Sequence, residues 1–489
     1  MLFNSHIFIL LFLPLLLAGW YFLNWKKKFQ LAQGYLIGMS LWFYAYANLQ
    51  YLWLLLFSCL IGWLLSCLPE KIFSEKGKKV LTGVGCVFHL GLLGYFKYSN
   101  FFLENLNTVF HTDFPMLQIL LPVGISFYTF QQLAYLIDRC RGDAPRDSFF
   151  DYLTFMVYFP QLLQGPILLR SEFMGQLKEP ERRRFHAGRF SEGIQFFVFG
   201  LAKKVLLADT LAKAVNYGYS NVSMLDSISA LLLAVGYLTE LYFDFSGYCD
   251  MAVGLGKMIG LEVAENFDAP FHSASVKEFW RRWHMTLGRF FTRYVYIPLG
   301  GNRKGKMRTL CNVMIVMLLS GLWHGAAWTF VLWGFLHGVG MIWDNLEHPH
   351  LPKKWMRQAA TFAYVCMTFV FFRAESIAQG VDVLKSIVSL KWNGFVFQMA
   401  SALEMTEFYM ITKALSMKLP GLLSWFWLGI FVVLIAICFR VFSGEKVSGV
   451  VALQKQKGYG RLYPVVLAVL FTWSMISMTG VSEYLYFSF

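Results

Sequence analysis

His324 lies inside a long apolar run and is flanked by glycines in the segment Gly321-Leu322-Trp323-His324-Gly325. An ionisable group at membrane depth is costly, and such residues usually mark a site or a path. Burial favours the neutral imidazole, which can take a proton from a hydroxyl that attacks an activated acyl group. His324 is therefore a candidate general base, although a structural histidine that hydrogen-bonds across helices would explain the same residue. The glycines suggest irregular backbone beside it.

The neighbours of His324 indicate which reaction it could support. No Ser, Cys or carboxylate adjoins it in the sequence to form a local nucleophile motif. This absence favours direct attack by an external hydroxyl over a covalent acyl-enzyme. No HxxxH or HExxH spacing occurs in the chain, so we expect no metal site. His89 and His337 also lie in apolar runs, where packing is the simpler interpretation.

The hydrophilic stretch Glu265–Arg308 holds a second group of chemically capable residues: Trp280, Arg281, Arg282, Trp283 and His284. Trp280, Trp283 and His284 stand at i, i+3 and i+4, so one continuous helix would place them on one face. The functional interpretation is a cytoplasmic mouth, where cations hold a phosphorylated, adenine-bearing donor and aromatic rings stack on it. An interfacial helix with Trp at the headgroups and Arg on anionic lipid would have the same composition.

The elements that must position these residues are predicted to be membrane helices. The chain has 489 residues, of which 57% are hydrophobic and only 15% charged, whereas soluble chains carry about 25% charge. The net charge of +14 comes from short basic clusters between apolar runs, as in positive-inside loops. No nucleic-acid motif is present, so we expect no nucleic-acid partner. The eight cysteines form no CxxC pair and are expected to be small core residues.

The charge of the loops predicts the topology. A span needs about 20 apolar residues, and the pattern predicts about 11 to 13 membrane segments. With basic loops such as Arg281–Arg308 in the cytoplasm, the cation-poor stretch Ala374–Met417 and both termini lie outside. His284 is then expected on the inner side, and His324 at the far end of the next apolar run, toward the opposite mouth.

Two segments do not fit a plain span. Phe150–Leu169 lies between basic loops and contains Pro160, which predicts a re-entrant segment with a proline break, or else an ordinary kinked helix. Ser227–Leu261 carries two carboxylates and a glycine in its middle, which predict a span, a polar break and a shorter helix. Asp244 and Ser246 would cap that break or support the site.

Three motifs, in this order, resemble the membrane-bound O-acyltransferases, in particular their bacterial alginate O-acetyltransferase branch, which is related to the D-alanyl transferase of teichoic acids. They are Phe279–His284, Tyr296–Arg303 and Gly321–Gly325. Supporting matches are Phe159–Gln161, Gly165–Ile167, Gly200–Lys204 and Asp244–Tyr248. The similarity extends from about Leu121 to Asp344.

The resemblance implies an all-α polytopic membrane fold in which a cytoplasmic vestibule and an extracellular funnel meet near a catalytic histidine. We expect one membrane domain over residues 1–489, with N-terminal spans at 1–115, the catalytic core at 116–345 and C-terminal spans at 346–489. His324 matches the intramembrane histidine of the family, and His284 matches its second functional histidine. Trp280, Arg281, Arg282 and Trp283 would line the donor mouth.

The implied activity is transfer of an acyl group, expected to be acetyl, from cytoplasmic acyl-CoA to an extracytoplasmic acceptor, for O-acetylation of an exopolysaccharide such as alginate. Acetyl-CoA would be a co-substrate, with no permanently bound cofactor. The implied partners are membrane lipid and a secreted or membrane-anchored acetyltransferase, and the implied location is the bacterial inner membrane. Peptidoglycan O-acetylation, teichoic acid D-alanylation, a polysaccharide-precursor transporter and a scaffold for polymer secretion are the alternatives.

Overall fold

The computed structural model describes residues 1–47, 49–67, 75–346, 353–442, 446–458, 460, 462–478 and 484–485. Over these residues the chain forms helices and no strand, which confirms the predicted all-α fold. The α-helices are α1 (Leu13–Trp25), α2 (Phe29–Ala47), α3 (Leu52–Cys67), α4 (Glu75–Leu93), α5 (Ser99–Phe110), α6 (Ile125–Arg141), α7 (Phe149–Val157), α8 (Phe159–Leu162), α9 (Arg170–Leu177), α10 (Ala187–Ala202), α11 (Asp209–Ser220), α12 (Ser227–Ile259), α13 (Val276–Arg282), α14 (Met285–Phe291), α15 (Lys306–His324), α16 (Trp328–Asn345), α17 (Lys354–Arg373), α18 (Ile377–Val388), α19 (Phe395–Ser401), α20 (Tyr409–Lys418), α21 (Pro420–Phe442), α22 (Val447–Lys457) and α23 (Leu462–Ser477). Shorter π-helical turns cover Phe8–Phe12, Gly94–Tyr98, Lys203–Ala208 and Thr292–Tyr296.

Six helical segments of the described chain are long and apolar enough to cross a membrane, so the protein is polytopic. They are Phe8–Trp25, Leu49–Cys67, Lys76–Phe110, Ser227–Ile259, Lys306–His324 and Pro420–Ile437. The two helices α12 and α21 differ in how much of their apolar stretch is buried inside the protein. The buried share is 78% in α12 and 11% in α21. Helix α12 is therefore a central helix of the fold, and α21 is peripheral. The total of about 11 to 13 segments stays a prediction.

Helix α12 runs without interruption from Ser227 to Ile259, so the predicted polar break is wrong. The physical reason is that two lysines of the π-helical turn Lys203–Ala208 pair with the two carboxylates in the middle of α12. The Nζ of Lys204 lies 2.6 Å from Oδ1 of Asp244, and the Nζ of Lys203 lies 2.6 Å from Oδ2 of Asp250. A paired charge can stay in a buried helix, whereas an isolated one is too costly. Asp244 therefore caps no helix.

The glycine in the middle of α12 serves helix packing. A Cβ on Gly247 would approach the carbonyl oxygen of Gly200 on α10 to 2.7 Å, and a Cβ on Gly200 would approach that of Gly247 to 2.5 Å. Small residues on both helices let the two backbones come this close, as is common between membrane helices. This crossing keeps the lysines at the end of α10 next to the carboxylates of α12.

The segment Phe150–Leu169 is broken, as its proline predicted. Helix α7 ends at Val157, Tyr158 adopts non-helical angles of φ −53° and ψ 108°, and α8 covers only Phe159–Leu162. Helices of nine and four residues are too short to cross about 30 Å of hydrocarbon at 1.5 Å per residue. Whether the segment is re-entrant or a kinked span stays a prediction. The side from which the segment enters stays a prediction.

The hairpin of α15 and α16 carries His324 at its tip. Helix α15 is regular up to His324, and irregular backbone begins only at Gly325, which is extended at φ −157° and ψ 150°. Gly321 packs against α16, where an added Cβ would overlap the carbonyl oxygen of Phe330 and lie 3.3 Å from the Cα of Gly334. The glycines around His324 therefore allow the two helices to cross closely just below the tip.

We expect Gly321→Ala to lower the free energy of unfolding by about 1–3 kcal/mol, because the new methyl group overlaps backbone that cannot move aside. Gly429→Ala in α21 is the matched control, since a Cβ there meets nothing within 4 Å. The control should be neutral or slightly stabilising, because alanine favours helix over glycine. Thermal unfolding of the purified proteins in detergent, followed by tryptophan fluorescence, measures both. Equal midpoints for the two variants would contradict the packing argument.

Candidate active site

The two histidines singled out from the sequence lie side by side in the protein interior. The ring centroids of His284 and His324 are 6.4 Å apart, and both side chains are buried, with 0% and 3% exposure. The sequence placed them toward opposite mouths, which is wrong. The reason is that the stretch after α13 turns into the protein instead of remaining in a surface loop. Phe245 of α12 packs edge-on against His284 at 4.7 Å between centroids.

The backbone at His284 explains this turn. Helix α13 ends at Arg282, Trp283 is extended at φ −102° and ψ 129°, and His284 is left-handed at φ 46° and ψ 50°. Trp280, Trp283 and His284 therefore do not share one helical face, contrary to the i, i+3, i+4 prediction. A left-handed non-glycine residue costs about 1–3 kcal/mol and occurs mainly where the surroundings hold it, often at active sites.

Asn266 holds His284 in this conformation. Its carbonyl oxygen accepts from the N–H of Met285 at 2.9 Å, and its Oδ1 accepts from the N–H and Oγ1 of Thr286 at 3.0 Å each. The same Oδ1 lies 3.3 Å from Nδ1 of His284, so Nδ1 carries the proton and Nε2 carries the basic lone pair. Burial lowers the pKa of His284 to about 3, which keeps the ring neutral near pH 7.

Aromatic rings enclose His324. The rings of Trp323, Trp333 and Phe372 have their centroids 4.9, 5.1 and 5.2 Å from that of the imidazole. Trp333 meets it almost perpendicularly, at 87°, which is a preferred geometry for aromatic pairs. Three different helices supply these rings, so tertiary packing contributes to the orientation of the imidazole.

Trp280 and Arg281 line an open pocket of about 420 Å³, which we call the Arg281 pocket. Its other lining residues include Lys277, Met285, Arg289, Tyr296, Met317 and Ser320. The side chain of Arg281 is exposed to solvent, and the indole of Trp280 is half-buried. The structure therefore combines these two predicted residues in a single concave site, with further cations at its edge.

The other two predicted mouth residues do not line this pocket. Arg282 is tied down, because its Nε lies 3.1 Å from Oε1 of Glu278 and its Nη1 donates to the carbonyl of Asp268 at 3.2 Å. Trp283 is buried, and its ring packs on those of Phe279 and Phe369 at 5.3 and 5.5 Å. Both residues support the fold around His284.

His337 has a complete set of hydrogen bonds. The indole N–H of Trp280 donates to Nδ1 of His337 at 3.2 Å, so Nε2 carries the proton and faces Oγ1 of Thr368 at 2.9 Å. The Thr368 hydroxyl in turn donates to the carbonyl of Val365 at 2.7 Å. This arrangement agrees with the packing role that the sequence favoured for His337.

A second and larger pocket, of about 1010 Å³, is lined by Phe372, which separates it from His324. We call it the acidic pocket, because its lining carboxylates outnumber its cations: Asp209, Glu240, Asp244, Glu375 and Glu407 against Lys204, Lys213 and Arg373. Phe372 lines this pocket and also packs against the His324 ring. The phenyl ring is thus the wall between the large pocket and the imidazole.

The passage expected between the two mouths is closed in this structure. His324 lines a small pocket of about 50 Å³, together with residues such as Lys97, Ser126 and Leu163. That volume holds a few water molecules and is too small for a pantetheine arm. Access of an acyl donor to His324 therefore requires side chains to move.

The described residues contain no group of three or more His, Cys, Asp or Glu side chains arranged to hold a metal ion. The cysteines in the described part of the chain are free thiols, and Cys59, Cys249 and Cys366 are buried.

Comparison with known proteins decides the family. The sequence profile of the MBOAT, membrane-bound O-acyltransferase family matches residues 141–379, which include both histidines. The peptidoglycan O-acetyltransferase of Helicobacter pylori is 36% identical over 423 residues, which cover 80% of this chain and 80% of the relative. The chain belongs to the membrane-bound O-acyltransferase family.

Other relatives define the branch of this membrane-bound O-acyltransferase. The probable alginate O-acetylase AlgI of Azotobacter vinelandii is 39% identical over 389 residues, covering 77% of this chain and 76% of the relative. The teichoic acid D-alanyltransferase of Streptococcus thermophilus is 28% identical over 253 residues, covering 49% of this chain and 58% of the relative. The predicted alginate O-acetylase branch is confirmed, and the protein is an integral membrane enzyme that acts as an O-acetyltransferase.

Proposed function

We propose that this enzyme takes an acetyl group from cytoplasmic acetyl-CoA and passes it through the protein to a hydroxyl of an extracytoplasmic polysaccharide. Transfer to the polymer is direct or is completed by a secreted or membrane-anchored partner, and the enzyme works in the bacterial inner membrane. The observation that carries the proposal is the pair of buried histidines between the Arg281 pocket and the acidic pocket.

The chemistry exchanges a thioester for an ester. The imidazole of His324 removes the proton of the acceptor hydroxyl while the oxygen of that hydroxyl attacks the carbonyl carbon of the acetyl group. The new C–O bond forms, the C–S bond breaks, and the proton passes from the imidazolium to the thiolate of coenzyme A. Atoms and charges balance without an ion gradient. His284, held through Asn266, positions the donor thioester or relays this proton from the neighbouring ring.

The Arg281 pocket has the kinds of residue that a binding site for the acyl donor needs. A phosphorylated donor needs cations and a surface for its adenine ring, and Lys277, Arg281 and Trp280 offer both. The pocket also reaches Ser320, which stands one turn before His324 on α15, so both residues lie on one face of that helix. Met285 and Met317 line the same wall, and their flexible side chains suit a path that opens when a pantetheine arm enters.

The acidic pocket is suited to admit the acceptor from the outer side of the membrane. Its lining includes Ala374, Glu375 and Met405 from the stretch that the charge pattern assigns to the outside. A hydroxyl that enters this pocket reaches His324 once the Phe372 ring moves, because that ring is the wall between them. Closure before the acceptor arrives would keep water away from the thioester, which is a usual reason for a closed active site.

The names of the relatives support polysaccharide acceptors of two kinds. Alginate is favoured by the resemblance of the motifs, and peptidoglycan by a relative that covers 80% of the chain. Measuring which surface polymer loses ester-linked acetate in a deletion strain separates these acceptors. Loss of ester-linked D-alanine would instead indicate the teichoic acid reaction, and intact acetylation with blocked export would indicate a transporter or scaffold.

The donor side makes a testable prediction. We expect Arg281→Ala to raise the KM for acetyl-CoA about tenfold, because removing a hydrogen bond to a charged phosphate costs about 1.5–3 kcal/mol. Arg282→Ala is the matched comparison, since its guanidinium is bound to Glu278 and to the Asp268 carbonyl. Its KM should change much less, although its stability should fall. Kinetics with purified protein in nanodiscs measures both, and equal KM values for the two variants would argue against the Arg281 pocket as donor site.

A further inference from the structure

The C-terminal end of α15 is capped by another part of the chain. The last four carbonyls of a helix lack intrahelical partners, and here each has one. The Gly321 carbonyl accepts from the N–H of Gly325 at 3.3 Å, and the Leu322 carbonyl accepts from the hydroxyl of Tyr98 at 2.5 Å. The carbonyls of Trp323 and His324 both accept from Nζ of Lys97, at 2.7 and 2.8 Å.

The backbone makes this external cap necessary. Many helices end in a left-handed residue whose N–H groups satisfy the last carbonyls, but Gly325 is extended at φ −157° and ψ 150°. Lys97 and Tyr98 come instead from the π-helical turn Gly94–Tyr98. Such turns insert an extra residue and are frequent at functional sites. Here the turn brings two successive side chains to the end of α15.

The Lys97 contacts fix the conformation of the histidine backbone. The carbonyls of Trp323 and His324 belong to the two peptide groups on either side of the His324 Cα. One ammonium that holds both groups restricts φ and ψ of His324, and with them the direction in which the imidazole leaves the helix. Lys97 and His324 also line the same small pocket, so the cation lies close to the ring.

We propose that Lys97 is a positioning residue for His324. This inference rests on the proposed function, in which the His324 imidazole is the base. A lysine at membrane depth is expensive unless it has partners, and the partial negative charge at the end of α15 provides them. The ammonium thus stabilises the helix end and aims the imidazole at the reacting hydroxyl. Tyr98 holds only the Leu322 carbonyl, one residue farther from the histidine.

The test compares Lys97→Met, Lys97→Arg and Tyr98→Phe in nanodiscs. We expect Lys97→Met to lower kcat about 10- to 100-fold with little change in the KM for acetyl-CoA, because small misplacements of a catalytic group have effects of this size. Lys97→Arg, which can still donate to both carbonyls, should recover most of kcat. Tyr98→Phe should lose less than about threefold. Rates are expressed per monodisperse protein, so that loss of folded enzyme does not count as loss of kcat.

A kcat of Lys97→Met equal to that of Tyr98→Phe would overturn the inference, as would Lys97→Arg no more active than Lys97→Met. If Lys97→Met yields no monodisperse protein, Lys97→Gln replaces it, since glutamine keeps an N–H donor with a shorter reach. His324→Ala is assayed in parallel. An active His324→Ala would show that the proposed function itself fails, whereas an inactive His324→Ala beside a fully active Lys97→Met would remove only the positioning role.

Discussion

His324→Ala is expected to lower the rate of acetyl transfer from acetyl-CoA by about 10²–10⁴-fold, the usual contribution of a general base. The side chain is buried beside His284 and packs against the rings of Trp333 and Phe372. Radiolabelled acetyl-CoA and purified protein in nanodiscs give the rate. The KM for acetyl-CoA should change little, because the proposed donor pocket is lined by residues such as Lys277 and Arg281 and not by His324.

The control is a second buried histidine. His89 is 1% exposed, its Nδ1 lies 3.3 Å from Oγ of Ser58, and its ring packs on that of Phe88. His89→Ala should cost stability by leaving a cavity but should keep kcat within about twofold. Equal losses of kcat in the two variants would mean that His324 acts through folding. An unchanged rate in His324→Ala would exclude it as the base.

Lys204→Met is expected to lower the free energy of unfolding by about 3–5 kcal/mol, because it leaves the buried carboxylate of Asp244 and the half-buried one of Asp209 without their cation. The Lys204 side chain is 2% exposed, and its Nζ lies 2.6 Å from Asp244 and 2.8 Å from Asp209. The double variant Lys204→Met/Asp244→Leu should recover part of the loss, since it replaces the pair by apolar groups. Thermal unfolding in detergent measures all three proteins.

An exposed ion pair supplies the comparison for Lys204. Lys385 and Asp382 stand 3.5 Å apart on α18 with 72% and 60% of their side chains exposed. Lys385→Met should change the free energy of unfolding by no more than about 1 kcal/mol. If Lys204→Met is as mild as this, or if the double variant is the least stable of the set, the buried pair does not hold α10 and α12 together.

The features that the sequence predicted correctly depend on local chemistry. Composition and apolar runs predicted the all-α membrane fold, and Pro160 predicted the break in the segment Phe150–Leu169. The burial of His324 followed from its place inside an apolar run, whereas its role as the base stays a prediction. In each case the signal and the structural feature belong to the same few residues.

The features that the sequence missed depend on partners far along the chain. Helix α12 stays intact because Lys204, which lies 40 residues before Asp244, neutralises the Asp244 carboxylate. His284 turns inward because Asn266, which lies 18 residues before it, holds the His284 segment. Lys97 reaches the end of α15 across more than 200 residues. None of these pairs has a spacing that a helical or strand repeat could predict. The role of Trp283 changed for the same reason, since the distant Phe369 packs on it. Arg282 differs, because it pairs with Glu278 one helical turn earlier, a spacing that is visible in the sequence.

Sidedness of acetyl transfer tests the central claim most directly. Inside-out membrane vesicles that carry the enzyme and its natural acceptors present the cytoplasmic face to the medium, where acetyl-labelled acetyl-CoA is added. Because coenzyme A does not cross the hydrocarbon, we predict ester-linked label on macromolecules inside the lumen with the wild type and almost none with His324→Ala. Label confined to the outer face of the vesicles, or equal luminal label with both proteins, would contradict transfer through the protein past His324.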